Sequence, residues 1–195
     1  MPRKADPNRR KAILEAAADV FARKGYAAAR IIEVARAAGV GKGTIYEYFR
    51  SKEELFFAVF EAMMQTAGEE IVDVAHALEG SFDERMVHLS DRMIQTWLDQ
   101  LDMFALVMEF WSATASSPSR DRFKTVFQEG YRHLRGVVGG LIRDAQRTGE
   151  LSPACDPRQV AAGLVGTWDA LLLQAWLDPA FDALAASRGF MAVVL

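Results

Sequence analysis

Residues 38–49 read AGVGKGTIYEYF, and the first six of them have the glycine and lysine content of a phosphate-binding loop. A Walker-type loop needs a preceding strand, a glycine five positions ahead of the Gly-Lys pair, and Ser or Thr directly after the lysine. Here Arg36 holds the glycine position and Gly43 follows Lys42. The preceding segment, RIIEVARAAG, spaces Ile31, Val34, Ala35 and Ala38 as a helix face does, not as a strand does. The nucleotide reading fails on all three requirements. What the stretch does encode is a helix, a turn at Gly39-Val40-Gly41, and a second short helix from Lys42 to about Phe49. Two helices joined by a short glycine-containing turn form a helix-turn-helix.

The charge along the chain supports a polyanion partner for this end only. Residues 1–52 carry 12 Lys and Arg against 5 Asp and Glu, a net of +7. Residues 53–195 carry 11 against 21, a net of −10. Phosphate neutralisation by Lys and Arg supplies most of nonspecific DNA affinity, so the basic quarter is the part expected to meet nucleic acid. A basic face that merely solvates a small helical domain is the plainer alternative. With 51 % hydrophobic and 25 % charged residues the composition is that of a globular protein, which excludes disordered and fibrous classes. No stretch reaches the ~18 uninterrupted apolar residues of a spanning helix, and the expected location is the cytoplasm, with no membrane partner.

Outward from the helix-turn-helix, every strong segment has helical period, and the expected fold class is all-α. Asp6-Pro7 is a cap-then-proline start for a first helix with an apolar stripe at Ile13, Leu14, Ala17, Val20 and Phe21, closed by Gly25. Ser51 and Glu54 form a capping box for a long helix that ends near Gly80. Further helices are expected at about 83–100, 102–116, 120–148 and 157–177. Asp178-Pro179 repeats the cap-then-proline signal, which predicts a last helix from 179. The expected domains are 1–50, a three-helix DNA-binding head, and 51–195, a helical ligand-binding and dimerisation body.

The stretch IIEVARAAGVGKGTIYEYFRSKEELFFAVF resembles the DNA-binding segment of the tetracycline-repressor-like (TetR) regulators, with its Gly-Thr-x-Tyr-x-x-Phe recognition helix followed by Ser-Lys-Glu. The likeness covers residues 9 to about 60. It implies a two-domain, all-helical homodimer that acts as a repressor on a double-stranded DNA operator and answers to a small-molecule effector. Farther on, EFWSATASSP, RTGEL and GTWDALLLQAWLDP are similar to the effector domain of the branch that includes choline and betaine repressors.

A recognition helix this short reaches the major groove with residues near its N-terminus. Lys42, Gly43 and Thr44 are therefore candidate DNA contacts, Gly43 by permitting close approach. By similarity Tyr46 is expected on a base, such as a thymine through its methyl, against the alternative of a half-buried core tyrosine; Tyr48 and Lys52 are expected on phosphates. Two positions depart from the family's pattern. Arg30 replaces its usual Thr, losing a side-chain cap worth roughly 1 kcal/mol but adding a cation for the DNA backbone. Gly41 replaces its usual Ser. The N-terminal Arg3 and Lys4 are either a basic arm or a frayed end.

The chain carries eight Met, four Trp and twelve Phe, most of them in the body, enough for a core and a ligand pocket between helices. Met93, Trp97, Met108, Trp111, Phe127, Tyr131, Trp168 and Trp176 are pocket candidates, each with plain core as its alternative. Glu109 falls on the polar arc of its helix and is expected in solvent. Asp169 falls among Ala162, Val165, Leu173 and Trp176, where a carboxylate needs a partner or a cationic ligand, or pairs across a dimer. Small residues at Ala162, Gly163, Gly166 and Ala170, with Gly136, Gly139 and Gly140 on the helix before, predict a homodimer through helices 120–148 and 157–177. No nucleophile-base pair or carboxylate dyad stands out, and the three histidines lack metal-ligand spacing. Neither an enzyme nor a cofactor is expected. Cys155 as a redox-sensing thiol, and a helical module that binds polyanions or proteins without sequence preference, are the other readings.

Overall fold

The computed structural model describes residues 6–113 and 119–194 of the chain, and among them all regular structure is α-helical. The helices are α1 (Pro7–Ala28), α2 (Ile31–Ala37), α3 (Lys42–Tyr48), α4 (Lys52–Ala77), α5 (Phe82–Leu98), α6 (Leu101–Ala113), α7 (Ser119–Thr148), α8 (Pro157–Leu177) and α9 (Ala183–Val194). The N-terminal Arg3 and Lys4 and the end of the expected 102–116 helix lie outside the described residues.

Local chemistry sets the helix ends. The Asp6 carboxylate accepts the Asn8 amide at 3.0 Å and Pro7 occupies the first helical position of α1; Asp156 and Pro157 repeat this at α8, with Arg158 N at 2.9 Å. Asp178-Pro179 behaves differently and corrects the expected start at 179. Asp178 closes α8 and folds the chain into a turn, its carboxylate accepting from Ala180 N and its carbonyl from Phe181 N. Asp182 then caps α9 through Ala185 N at 2.9 Å. A cap-then-proline pair starts a helix only where the residues after it can pack, and here the chain must first turn.

The residues pack into two compact units that do not follow the chain in single blocks: Met1–Met64 with Asp102–Lys124, and Gln65–Leu101 with Thr125–Leu195. The first unit therefore takes in α6 and the start of α7 as well as α1 to α3, more than the 1–50 head expected from sequence. Its core holds Ile13, Ala17, Val20 and Phe21 of α1, Val34 and Ala35 of α2, Ile45 and Phe49, and Leu55 to Phe60 of α4. Leu106 and Val107 of α6 and Phe123 of α7 are buried in the same unit. Phe21 meets Phe56 edge-on at 5.4 Å between centroids, and Phe60 stacks on Phe123 at 5.3 Å. Each such ring, fully buried, stabilises the fold by about 1.5–3 kcal/mol.

The second unit is built around α5, which packs on α8 and α9. Its core includes Met86, Leu89, Ile94, Val138, Ile142, Leu164, Val165, Trp168 and Met191. The loop from α7 to α8 is pinned twice. Gln146 Nε2 donates to the carbonyls of Ser152 and Cys155, and the Glu150 carboxylate accepts the Phe82 amide at 2.6 Å beside Arg85. By length and composition α8 could cross a membrane. Its apolar side chains Leu164, Val165, Trp168, Leu171 and Leu172 are nevertheless buried in this unit's core.

Candidate nucleic-acid interface

The turn between α2 and α3 is a Schellman closure: Gly39 N donates to Arg36 O at 3.2 Å and Val40 N to Ala35 O at 2.9 Å, with Gly39 at φ 66°. Gly41 then serves as the cap position of α3 without a side-chain hydrogen bond. Ile45 and Phe49 anchor the inner face of α3, both at most 3 % exposed. That anchoring turns Lys42, Gly43, Tyr46 and Glu47 outward. Tyr46 is 46 % exposed, with the Lys42 ammonium 5.9 Å from its ring centroid, so it is not a core tyrosine. Thr44 is half-buried and lines an open cleft of about 550 Å³ with Asp6, Arg9, Ala12 and residues Ala38 to Gly41. Arg9 went unmarked in the sequence because nothing local separates it from its basic neighbours.

Two of the remaining expected DNA contacts, Tyr48 and Lys52, have partners inside the unit. The Tyr48 hydroxyl accepts the Asp6 amide at 3.0 Å and points back at the Asp6 carbonyl at 3.4 Å, tying α3 to the start of α1. Lys52 donates to the carbonyls of Ala27 at 3.1 Å and Ala29 at 2.9 Å, and its ammonium lies 4.5 Å from the Tyr26 ring centroid. Burial pulls the Lys52 pKa below the usual lysine range, opposed by the charge of Glu109. Arg30 is exposed and gives no side-chain cap to α2; Glu33 reaches back instead, accepting the Arg30 amide at 3.1 Å. The hydrogen bond from Lys24 is the main cause that holds the Glu33 carboxyl below its ordinary range.

Glu109 overturns its expected solvent exposure. It is half-buried, and its two oxygens accept the amides of Tyr26 and Ala27, both at 3.0 Å.

Of the effector candidates, two line a common hollow. Met93 and Trp97 line a hollow of about 20 Å³ with Ala67, Glu70, Ile71, Val74, Arg92 and Thr96. That is room for about one water. Trp168 is 1 % exposed in the second core, and its indole nitrogen has no hydrogen-bond partner among the described residues. Phe127 and Tyr131 pack ring to ring on α7 at 6.2 Å. Met108 and Trp111 belong to the first unit, where Trp111 meets Phe123 at 5.1 Å.

Asp169 and Trp176 lie on the exposed side of α8, where the sequence had set Asp169 among buried neighbours. The Tyr131 hydroxyl donates to Asp169 Oδ2 at 2.7 Å. Although the residue as a whole is exposed, desolvation of its carboxyl group raises the Asp169 pKa, and the hydrogen bond from Tyr131 works against that rise. On the same side, Ala162, Gly163, Gly166, Ala170 and Leu173 are exposed, and a Cβ added at Gly163 or Gly166 would meet nothing within 4 Å. Gly139 of α7 differs: it faces Ala161 and the Pro157 carbonyl, where α7 and α8 touch. Among the described residues no three His, Cys, Asp or Glu side chains gather to hold a metal ion.

Residues 13–59 match the family described as bacterial regulatory proteins, tetR family, and residues 82–193 match the BetI-type transcriptional repressor C-terminal family. The chain is 31 % identical over 165 residues to the HTH-type transcriptional regulator YhgD of Bacillus subtilis, covering 85 % of this chain and 83 % of that one. A transcriptional regulator from Saccharomonospora viridis in complex with choline superposes with a TM-score of 0.77 at 22 % identity, over 96 % of this chain and 95 % of the other. FadR of Bacillus subtilis in complex with stearoyl-CoA superposes with a TM-score of 0.75 at 20 % identity, over 94 % and 96 %.

Proposed function

The chain belongs to the TetR family of bacterial transcriptional regulators, and on that premise we propose that it is a cytoplasmic, ligand-responsive repressor. It binds a palindromic operator as a homodimer and leaves it when a small hydrophobic or cationic effector binds. Residues 1–50 read DNA, and residues 51–195 bind the effector and form the dimer.

The observation that carries the DNA reading is the outer face of α3. Gly43 has no positive φ and nothing within 4 Å of where a Cβ would stand, so nothing inside the protein demands glycine there. A base edge or phosphate brought close to the first turn does. Beside it Lys42 and Thr44 offer a cation and a hydroxyl, Tyr46 an exposed ring, and Arg30 a second cation. Tyr48 and Lys52 serve the same surface by holding its helices in place.

Glycines in the middle of a helix each cost about 1 kcal/mol relative to alanine. Gly163 and Gly166 on α8 and Gly136 on α7 have open space over them, so their use fits the close approach of a second copy across α7 and α8. Asp169 lies on that strip, a position that supports a role at the dimer beside the one expected at the effector. The two recognition helices of such a dimer stand roughly 34 Å apart, or a multiple of that, on a palindrome.

For the effector, the choline and stearoyl-CoA complexes of the two structural relatives suggest cationic and long-chain apolar ligands. In this chain Met93 and Trp97 supply the apolar wall and Glu70 and Arg92 the charges of a hollow that two of the candidates share. A ligand requires that hollow to open, and a ligand that binds only the opened state shifts the protein toward it. The α4 residues of the hollow, Ala67 to Val74, share one continuous helix with Lys52.

The test is selection of bound fragments from random duplex DNA, with Tyr46→Ala run in parallel. A palindrome enriched by the parent and lost in the variant, at unchanged helix content, is the expected result. Enrichment of the same site by Tyr46→Ala would remove Tyr46 from the interface. No site from the parent would leave a general polyanion binder in place of a repressor.

A further inference from the structure

The joint between α1 and α2 is held by a residue from far along the chain. At Gly25 the backbone takes φ 75° and ψ 163°, so the helix stops and a new turn begins at Tyr26. The first amides of a turn have no carbonyl behind them to bond. Here the amides of Tyr26 and Ala27 are both taken by Glu109 on α6, one to each oxygen. Gly25 itself makes room, since a Cβ there would stand 2.8 Å from Glu109 Oε2. On the carbonyl side, Lys52 at the start of α4 binds Ala27 O and Ala29 O. The carboxylate, the kinked backbone and the ammonium thus form one polar clamp, with the Glu109 charge favouring the ionised Lys52. Beyond it, Lys24 pairs with Glu33, which caps α2.

We propose that Glu109 is a positioning residue for operator reading: its carboxylate fixes the angle at which α2 and α3 leave α1, and through Lys52 fixes that joint to α4. The proposal rests on the DNA-reading role of α3. It also assigns a point of control, because a displacement of α6 away from the end of α1 acts on both hydrogen bonds together. The bonds are charge-assisted and directional, and an amide side chain reproduces only one of them, since its NH₂ would face a backbone N–H.

The experiment uses the full-length chain as parent, Glu109→Gln, Glu109→Ala, and Ser112→Ala as a control at an exposed position of the same helix. Each is titrated against the selected operator and against operators with the half-site spacing changed by one base pair in either direction. Amide exchange at Tyr26 and Ala27 is followed by NMR. The parent should prefer the native spacing. Both Glu109 variants should exchange at least tenfold faster at one or both amides, lose about tenfold in affinity at the native spacing, and discriminate less among the spacings. Ser112→Ala should match the parent. A Glu109 variant that weakens equally at every spacing, or not at all, overturns the proposal, because a merely destabilised head loses affinity without losing its spacing preference. Unaltered exchange at both amides also overturns it. Glu109→Gln, which keeps the side-chain shape, decides the matter if Glu109→Ala does not fold. A parent that selects no operator refutes the DNA reading itself, and the exchange data still report on the clamp.

Discussion

Gly25 and Gly39 both hold positive φ, yet their surroundings make them unequal. Gly39 ends α2 with open space around the missing Cβ, so Gly39→Ala carries only the left-handed backbone penalty, about 1 kcal/mol. Gly25 has ψ 163° as well, a region that side chains scarcely enter, and Glu109 fills the space where a Cβ would go. Gly25→Ala should therefore cost roughly 2–3 kcal/mol. Urea unfolding of the two variants checks the order, and equal midpoints would mean that the carboxylate moves aside freely. The same contrast explains what could be read in advance. Gly39 sits beside the motif it serves, whereas Glu109 is 83 residues from the amide it binds. No periodicity within α6 marks a carboxylate whose acceptors are needed so far back in the chain; on the helical wheel it is one more polar position. Tyr48 and Lys52 show a related limit of the sequence. Their spacing places them near the recognition helix but does not reveal that a backbone carbonyl or amide reaches them first.

At the scale of elements, the helices were legible because capping and apolar spacing are local. Asp6-Pro7, Asp156-Pro157 and the Ser51 region all mark real starts. The signal at Asp178-Pro179 is chemically identical, and only the packing of α9 against α5 and α8 sends the start to Ala183. The pocket was the least legible element, since Met, Phe and Trp at helical spacing fill a core and line a cavity with the same pattern. For α8 the two faces make a sharper statement. Its buried side carries Leu164, Val165 and Trp168, and its exposed side carries the small residues and Asp169. Gly166→Leu adds a side chain into open space and improves helix propensity, so the isolated subunit should be no less stable. In a dimer built on this strip the same leucine collides with the second copy. Sedimentation velocity should show Gly166→Leu as a folded monomer where the parent is a dimer; a Gly166→Leu dimer of parental affinity would place the interface elsewhere.

At the scale of the whole chain, charge is divided by role: +7 in the first 52 residues and −10 in the rest. Operator binding should accordingly weaken linearly in log affinity against log salt, with a slope of about −0.9 per phosphate neutralised. Lys42→Gln and Arg30→Gln should each reduce that slope by about one if each cation meets a phosphate, and fluorescence anisotropy at several salt concentrations measures it. An unchanged slope in either variant would assign that cation to the protein's own surface. The packing is divided along other lines than the charge. The unit that contains the reading helices is assembled from two separated stretches, with Phe123 stacked on Phe60 and Glu109 seated on the end of α1. For anyone building hybrid regulators, the seam at residue 50 is consequently the wrong place to cut without matching the host. A transplanted head must bring a glycine at the kink and two amides spaced for the recipient's carboxylate, or the graft will inherit a specificity with no fixed aim.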